Sequence, residues 1–265
     1  VDGAEWAINN EFGHPEDLEH IEDKGKLEGA NPELLSSRAI ERGLDQVGTL
    51  GSGNHFVEIS LVENIFNDEI AKVFGLYQGK IVLQIHTGSR GLGYQVCDDY
   101  VKTAMNAARK YNIELPDKQL ACAPIDSDEG QRYLGAMRCA ANYAFNNRQV
   151  IASLIEKSLL KALQTNPADL GYQTVWDIAQ NIAKIEEHEV NGKKQKLCVH
   201  RKGATRAFGP QSEVLPEKYK NSGQPVLIPG DMGTESYVCA GAEKAMDVTF
   251  GSSCHGAGRV MSRRQ

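Results

Sequence analysis

Four of the seven histidines in this chain sit where a short apolar run meets a glycine-rich turn: GSGNHF around His55, QIHTGSRGLG around His86, CVHRKGATRAFG around His200 and FGSSCHGAGR around His255. Imidazole serves both as a metal ligand and as a nucleophile or proton carrier near neutral pH, and glycine lets backbone come close to a phosphate. The repetition points to one shared polyphosphate and metal site. In HTGSRGLG, Ser89 and Arg90 stand among three glycines. That arrangement would offer backbone donors and a bidentate guanidinium fork to phosphate beside His86. HGAGR repeats the logic with Arg259. His55, His86 and His200 each fall at a strand edge, which suits neutral imidazoles converging on a metal with positions left open for water or phosphate. His255 lies between Ser252-Ser253-Cys254 and Gly256-Ala257-Gly258-Arg259, among hydroxyls, bare backbone and one cation. Such a ring can attack phosphorus and hold the product as a phosphoramidate, or act more mildly as a general acid and base.

The remaining candidates read more plainly. Cys198 shares a strand face with His200 by period two, as a thiolate ligand or as a small buried side chain, and Cys254 beside His255 reads the same way. His14, His20 and His188 stand in polar, acidic surroundings and are expected at the surface. Neither G-x-x-x-x-G-K-[ST] nor G-x-G-x-x-G occurs, so a nucleotide site here is of another type than the two standard cradles.

The elements that must position these residues are mixed. Residues 1 to about 50 are acidic and weakly periodic, and are expected to form an irregular lead-in or short helices. Asn54 to Leu61 and Lys80 to His86 read as strands, the second as a continuous apolar run of the buried kind. Leu134, Met137, Ala141, Ala144 and Phe145, then Ile151, Leu154, Ile155, Leu159 and Leu163, keep helical spacing from about Glu129 until Asn166-Pro167 ends it. A further helical stretch is expected near Val175 to Glu187. It is followed by a hairpin-like turn at Asn191-Gly192, a strand from Lys196 to His200, and another from Pro225 to Ile228. There is no internal repeat or linker, and one α+β domain over residues 1–265 is the expectation.

Composition sets the outer bounds. The net charge of −6 excludes a protein coated in positive potential, although Lys193, Lys194, Lys196, Arg201, Lys202 and Arg206 gather around His200 and Arg259, Arg263 and Arg264 follow His255. Six scattered cysteines without a C-x-x-C pair point to reduced thiols. No window resembles a membrane helix or a secretory leader, so a cytoplasmic location with no membrane partner is expected.

Five blocks, GSGNHFVEI, HTGSRGLG, HRKGATRAFGP, QPVLIPGDMGTESYV and SSCHGAGRVMSR, in this order, resemble the RtcB family of RNA-splicing ligases, and the resemblance covers essentially the whole chain. It implies an RtcB-like α+β fold and an enzyme that uses GTP and two manganese ions to join an RNA 3′-phosphate or 2′,3′-cyclic phosphate end to a 5′-hydroxyl end. By the same resemblance His255 matches the guanylylated histidine, and His55, His86 and His200 match imidazole ligands of manganese. Asn54, His55, Phe56, Val57 and Glu58, together with His200 and Arg201, match the GTP contacts. So do Pro229, Gly230, Asp231 and Met232, Ser236, and His255 to Gly258 (Gly256, Ala257). Ser89, Arg90 and Arg259 match contacts to RNA or phosphate. The family's aspartate and bridging-cysteine metal ligands, and the lysine and tyrosine that enclose guanine, are expected in segments outside these 265 residues. Alternation along the strand would put His55 on the face opposite Asn54, Phe56 and Glu58, unless the strand bends or starts after His55. Two other readings fit the same residues: a noncatalytic RNA-binding scaffold, and a metal-dependent phosphoesterase with no covalent step.

Overall fold

A serine opens the longest helix and an unusual backbone turn closes it. In the computed structural model, which describes residues 1–231 and 233–257, the Ser127 side chain accepts the Gly130 N–H. Asp128 and Glu129 lie in the first turn, and Gln164 ends the helix in the left-handed region. Helix Asp128–Leu163 follows the expected bounds closely, and at 1.5 Å per residue it is about 54 Å long. Its buried face differs from the apolar stripe in the sequence. Leu134, Met137, Phe145 and Ile151 are buried, but Leu154 and Leu163 are exposed, and Asn142, Asn147, Gln149, Ser153 and Glu156 take core positions instead. These polar groups are tied to neighbouring loops: Asn142 to Leu27, Asn147 to Gly48 and Thr49, Gln149 to Asp17.

The chain divides into two compact units. One comprises Val1–Leu18, Asp23–Phe56 and Ile85–Gln173; the other comprises Glu19–Glu22, Val57–Gln84 and the described part of Thr174–Gln265. The first is helical: α1 (Ala4–Asn9), α2 (Ser37–Leu44), α4 (Arg90–Lys110), the long α5 (Asp128–Leu163) and the one-turn α6 (Pro167–Leu170), with α3 (Asp68–Phe74) and α7 (Ala245–Thr249) in the second unit. Residues 1 to 50 are therefore not merely a lead-in. Ala4, Ala7 and Ala39 are fully buried, and Ala39 packs with Leu92, Val96, Ala136 and Ala140. Alanine and glycine allow close helix approach, and with only six and eight residues α1 and α2 are too short for a periodic pattern to stand out. A Cβ on Gly43 would stand 3.0 Å from Leu92 Cδ1.

The second unit holds the sheets, apart from Phe56, Ile85 and His86 at strand ends, which are counted with the first: β1 (Phe56–Leu61) pairs with β2 (Ile81–His86), β3 (Gln180–Val190) with β4 (Lys193–Arg206) and then β7 (Ser252–Cys254), and β5 (Pro225–Ile228) with β6 (Tyr237–Ala240). β3–β4, β4–β7 and β5–β6 are antiparallel. The whole is an α+β fold. Asn191 and Gly192, both at positive φ, make the β3–β4 turn as expected. The expected helix from Val175 to Glu187 is instead mostly β3. Its inward residues Ile182, Lys184, Glu186 and His188 recur every second position, but three of the four are charged or polar and disguise the alternation. β2 is also less buried than its apolar run implied, with Ile81 60% exposed. Phe74, Trp176, Phe208, Leu215 and Tyr219 form this unit's aromatic core.

Candidate functional site

β1 begins at Phe56, so His55 precedes the strand and escapes the alternation that would turn it from Phe56. His55 and His86 come together in the helical unit, with ring centroids 6.5 Å apart, and Phe56 stacks obliquely on His86 at 5.2 Å. Gly51, at φ +102, explains the crowding. A Cβ there would lie 1.9 Å from Arg90 Nη1 and 2.5 Å from His55 Nδ1, so guanidinium and imidazole converge on the space that glycine leaves. Burial chiefly, and then the Arg90 charge, hold the His55 imidazole below its usual pKa, against the opposing hydrogen bond with Leu50. Neutral imidazole is the form that binds metal.

The HTGSRGLG segment is only partly the turn expected. Arg90 opens α4 with φ +53, the Gly91 N–H goes to Gln46 Oε1 at 2.7 Å, and the Gly93 N–H goes to the Ser89 carbonyl. A Cβ on Gly91 would meet the Arg42 carbonyl at 3.0 Å. These two glycines serve helix packing, and their N–H groups are engaged within the protein. Arg90 also donates from Nε to Thr49 Oγ1 at 3.1 Å. One residue the sequence reading passed over organises this corner: Asn147, fully buried, accepts from the Gly48 and Thr49 N–H groups and donates to the Thr49 and Gly88 carbonyls. A lone amide at core spacing on a helix was the available signal, since buried polar groups need partners.

In the sheet unit, His255 follows β7 directly. Its N–H donates to the Gly203 carbonyl at 3.3 Å, and Gly203, at φ +69, gives its own N–H to Asn181 Oδ1. A Cβ on Gly203 would touch the His255 ring at 3.8 Å. Asn181, itself at positive φ, lies at the register shift between β3 and β4, an irregularity of the sort that re-aims a neighbouring side chain. The next residues dock on the Pro229 turn: Ala257 N–H donates to the Pro229 carbonyl at 2.9 Å, and a Cβ on Gly256 would lie 3.2 Å from the same oxygen. Ser236 Oγ accepts from Gly230 N–H, and Asp231 Oδ1 from Gly233 N–H, closing the turn. Pro229, Gly230, Asp231, Ser236, His255, Gly256 and Ala257 are thus gathered in one place, while Met232, Gly258 and Arg259 lie outside the described residues.

His200 is exposed on β4, and Cys198 Sγ lies 3.6 Å from its Nε2. Arg201, the next residue, points to the opposite face, is 2% exposed, and forks onto Glu186. Burial would raise the Glu186 carboxyl pKa, but the hydrogen bonds and charge of Arg201, then His188 and Lys184, outweigh it and hold the group below its usual value. Lys193, Lys194, Lys196 and Lys202 form a solvated face, whereas Arg206 is buried beside Glu22. His188 is buried, not superficial, with its ring nitrogen on Glu186, and it accepts burial because it has that polar partner. His20 is half-buried and meets the Tyr219 hydroxyl at 2.7 Å. Cys254, by contrast, is exposed, as it lies on the short β7. Asn54, Val57 and Glu58 are exposed as well, with Glu58 accepting from Ser60.

A match to the family described as tRNA-splicing ligase RtcB covers residues 1–265. The chain belongs to the RtcB family. It is 56% identical over 263 residues to the tRNA-splicing ligase RtcB of Archaeoglobus fulgidus, covering 99% of this chain and 55% of that protein. With the Pyrococcus abyssi protein of the same name it shares 56% identity over 264 residues, 100% of this chain and 29% of the relative. With that of Methanococcus maripaludis it shares 55% over 262 residues, 99% and 55%. The chain therefore spans about half or less of the length of these relatives. Among its described residues no group of three or more His, Cys, Asp or Glu side chains is arranged to hold a metal. Imidazole chemistry suits manganese completed by water and phosphate oxygens. No helix among the described residues is long and apolar enough to cross a membrane.

Proposed function

We propose that this protein is a GTP- and manganese-dependent RNA ligase that joins a 3′-phosphate or 2′,3′-cyclic phosphate end to a 5′-hydroxyl end through GMP carried on His255. The observation that carries the reading is the seating of His255–Ala257 against the Pro229 turn and the Gly203 bulge, in a chain that matches tRNA-splicing ligase RtcB from end to end. Relatives carrying that name make RNA the natural substrate class. A cytoplasmic location belongs to the same proposal and rests on composition.

A ring nitrogen of His255 attacks the α-phosphorus of GTP; a P–N bond forms, the bond to the bridging α–β oxygen breaks, and pyrophosphate leaves with that electron pair. A 3′-phosphate oxygen of the RNA then displaces the histidine, taking GMP. The 5′-hydroxyl next attacks the activated 3′-phosphorus, losing its proton as GMP departs and the strand is sealed. A cyclic end is first opened by water. The Pro229–Asp231 turn and Ser236 would orient the nucleotide, with Met232 and Gly258 completing that set, and Asn54 to Glu58 adding contacts. Arg90, Ser89 and Arg259 would hold phosphate. Manganese held by His55, His86 and His200 would draw charge from the phosphate oxygens.

Incubating the protein with RNA bearing a 3′-phosphate and a separate 5′-hydroxyl RNA tests this. The expected result is a joined product that needs both GTP and manganese and disappears in His255→Ala. RNA binding without joining would favour a scaffold. Loss of the terminal phosphate without joining would favour a phosphoesterase, and either outcome contradicts the proposal.

A further inference from the structure

We infer that the pair of Glu186 and the buried Arg201 is the mount that fixes the His255 strand, so both are positioning residues for GMP attachment; the functional half of this rests on the ligase reading. Arg201 spends its whole guanidinium on protein. Nη1 and Nη2 fork onto the Glu186 carboxylate at 2.6 and 2.8 Å, Nε donates to Ser252 Oγ at 3.0 Å, and Nη2 donates to the Phe250 carbonyl at 2.9 Å. One side chain thereby ties β3 to both ends of the tripeptide that leads into β7.

That tripeptide needs holding. Phe250 sits at φ +50 and Gly251 at φ +61, two left-handed residues in succession, and a bulky L residue is disfavoured there. Gly251 is required for a second reason, since a Cβ would lie 2.3 Å from the Phe208 ring. The turn aims the Phe250 carbonyl at the guanidinium. His188 closes the arrangement from the other side, with Nε2 3.0 Å from Glu186 Oε2 and its ring edge-on to Phe250 at 5.2 Å. From Ser252, paired with Arg206, β7 runs along β4 to Cys254 opposite Ala204, and His255 follows. Strand alternation turns Arg201 away from the face that carries His200 and Cys198. Its guanidinium is therefore a support under the nucleotide site and not a contact within it. A buried fork adds little net stability compared with apolar packing, but it does demand one geometry, as a nucleophile needs.

Two variants and two readouts decide this. Glu186→Gln keeps the side-chain size but removes the charge and one acceptor of the fork; Ser252→Ala removes a single acceptor from a partly exposed residue. With saturating α-labelled GTP, GMP attachment to His255 is expected to slow about 100-fold in Glu186→Gln, the scale of a small misplacement, and about ten-fold in Ser252→Ala. GTP affinity should be unchanged in both. Amide hydrogen exchange across residues 250–257 should quicken while that of 225–228 stays as in the wild type. Unchanged attachment in folded variants, a loss seen only as weaker GTP binding, or unaltered exchange across 250–257 would overturn the inference. If Glu186→Gln does not fold, Ser252→Ala decides alone. If the wild type takes no label, the ligase reading fails, and exchange then decides the mount by itself.

Discussion

At Gly51 the absence of a side chain lets Arg90 and His55 occupy the same corner, and the contact has an electrostatic consequence. Burial and, after it, the Arg90 charge lower the His55 pKa. The imidazole is thus kept neutral, ready to ligate, at pH values where a solvated histidine would begin to charge. The folded pKa lies below the unfolded value of about 6.5, so the unfolded chain binds more protons in that window. This contribution to stability is full above about pH 6.5 and shrinks as pH falls through the lowered value. NMR titration of the ring should place the His55 midpoint below that of a free histidine, and Arg90→Gln should raise it without restoring the ordinary value, because burial is the larger cause. A wild-type midpoint at or above the ordinary value would contradict this. His55, His86, His200 and His255 were legible as chemistry because their glycine-rich settings are sequence-local. Arg201 was not read correctly: its neighbours in sequence advertise a basic patch, while its partner Glu186 is fifteen residues away across the β3–β4 hairpin.

The helix α5 shows what an element's pattern reveals and what it hides. Its helical character and its bounds, to within a few residues, followed from the apolar spacing from about Glu129 and from Asn166-Pro167 beyond its end. Its second half buries amides and a carboxylate in place of the leucines, because those polar groups satisfy the backbone of loops that lack secondary structure. Asn147 alone serves Gly48, Thr49 and Gly88. Asn147→Ala should therefore destabilise the protein by about 3 kcal/mol, since several buried loop groups lose their partner at about 1 to 3 kcal/mol each. Asn166→Ala, which removes the α6 N-cap and an exposed bond to the Asp169 carboxylate, should cost about 1 kcal/mol. Denaturant unfolding of the two variants compares them directly; equal costs would show that Asn147 is no more than another surface amide. The same principle explains β3. Lys184 and His188 are buried and Glu186 nearly so because Glu22, Glu186 and Arg201 respectively answer them; Glu22 and Arg201 are distant in sequence and cannot be read from a window of eleven residues.

Over the whole molecule the sequence carries family identity more openly than it carries layout. Long uninterrupted blocks around the histidines established the RtcB resemblance, and the match over residues 1–265 bears it out. The division into two units was not visible, because the chain passes from one to the other at 18/19, 22/23, 56/57, 84/85 and 173/174 without a linker or a shift in composition. The four histidines track that layout: His55 and His86 belong to the helical unit, His200 and His255 to the sheet unit. The most direct test of the central claim is to incubate the protein with α-labelled GTP and manganese and locate the adduct by peptide mass. GMP is expected on His255, labile in acid, stable in alkali, and absent from His255→Ala. GMP on any other residue, or GTP- and manganese-dependent RNA joining with no adduct on His255, would contradict that claim.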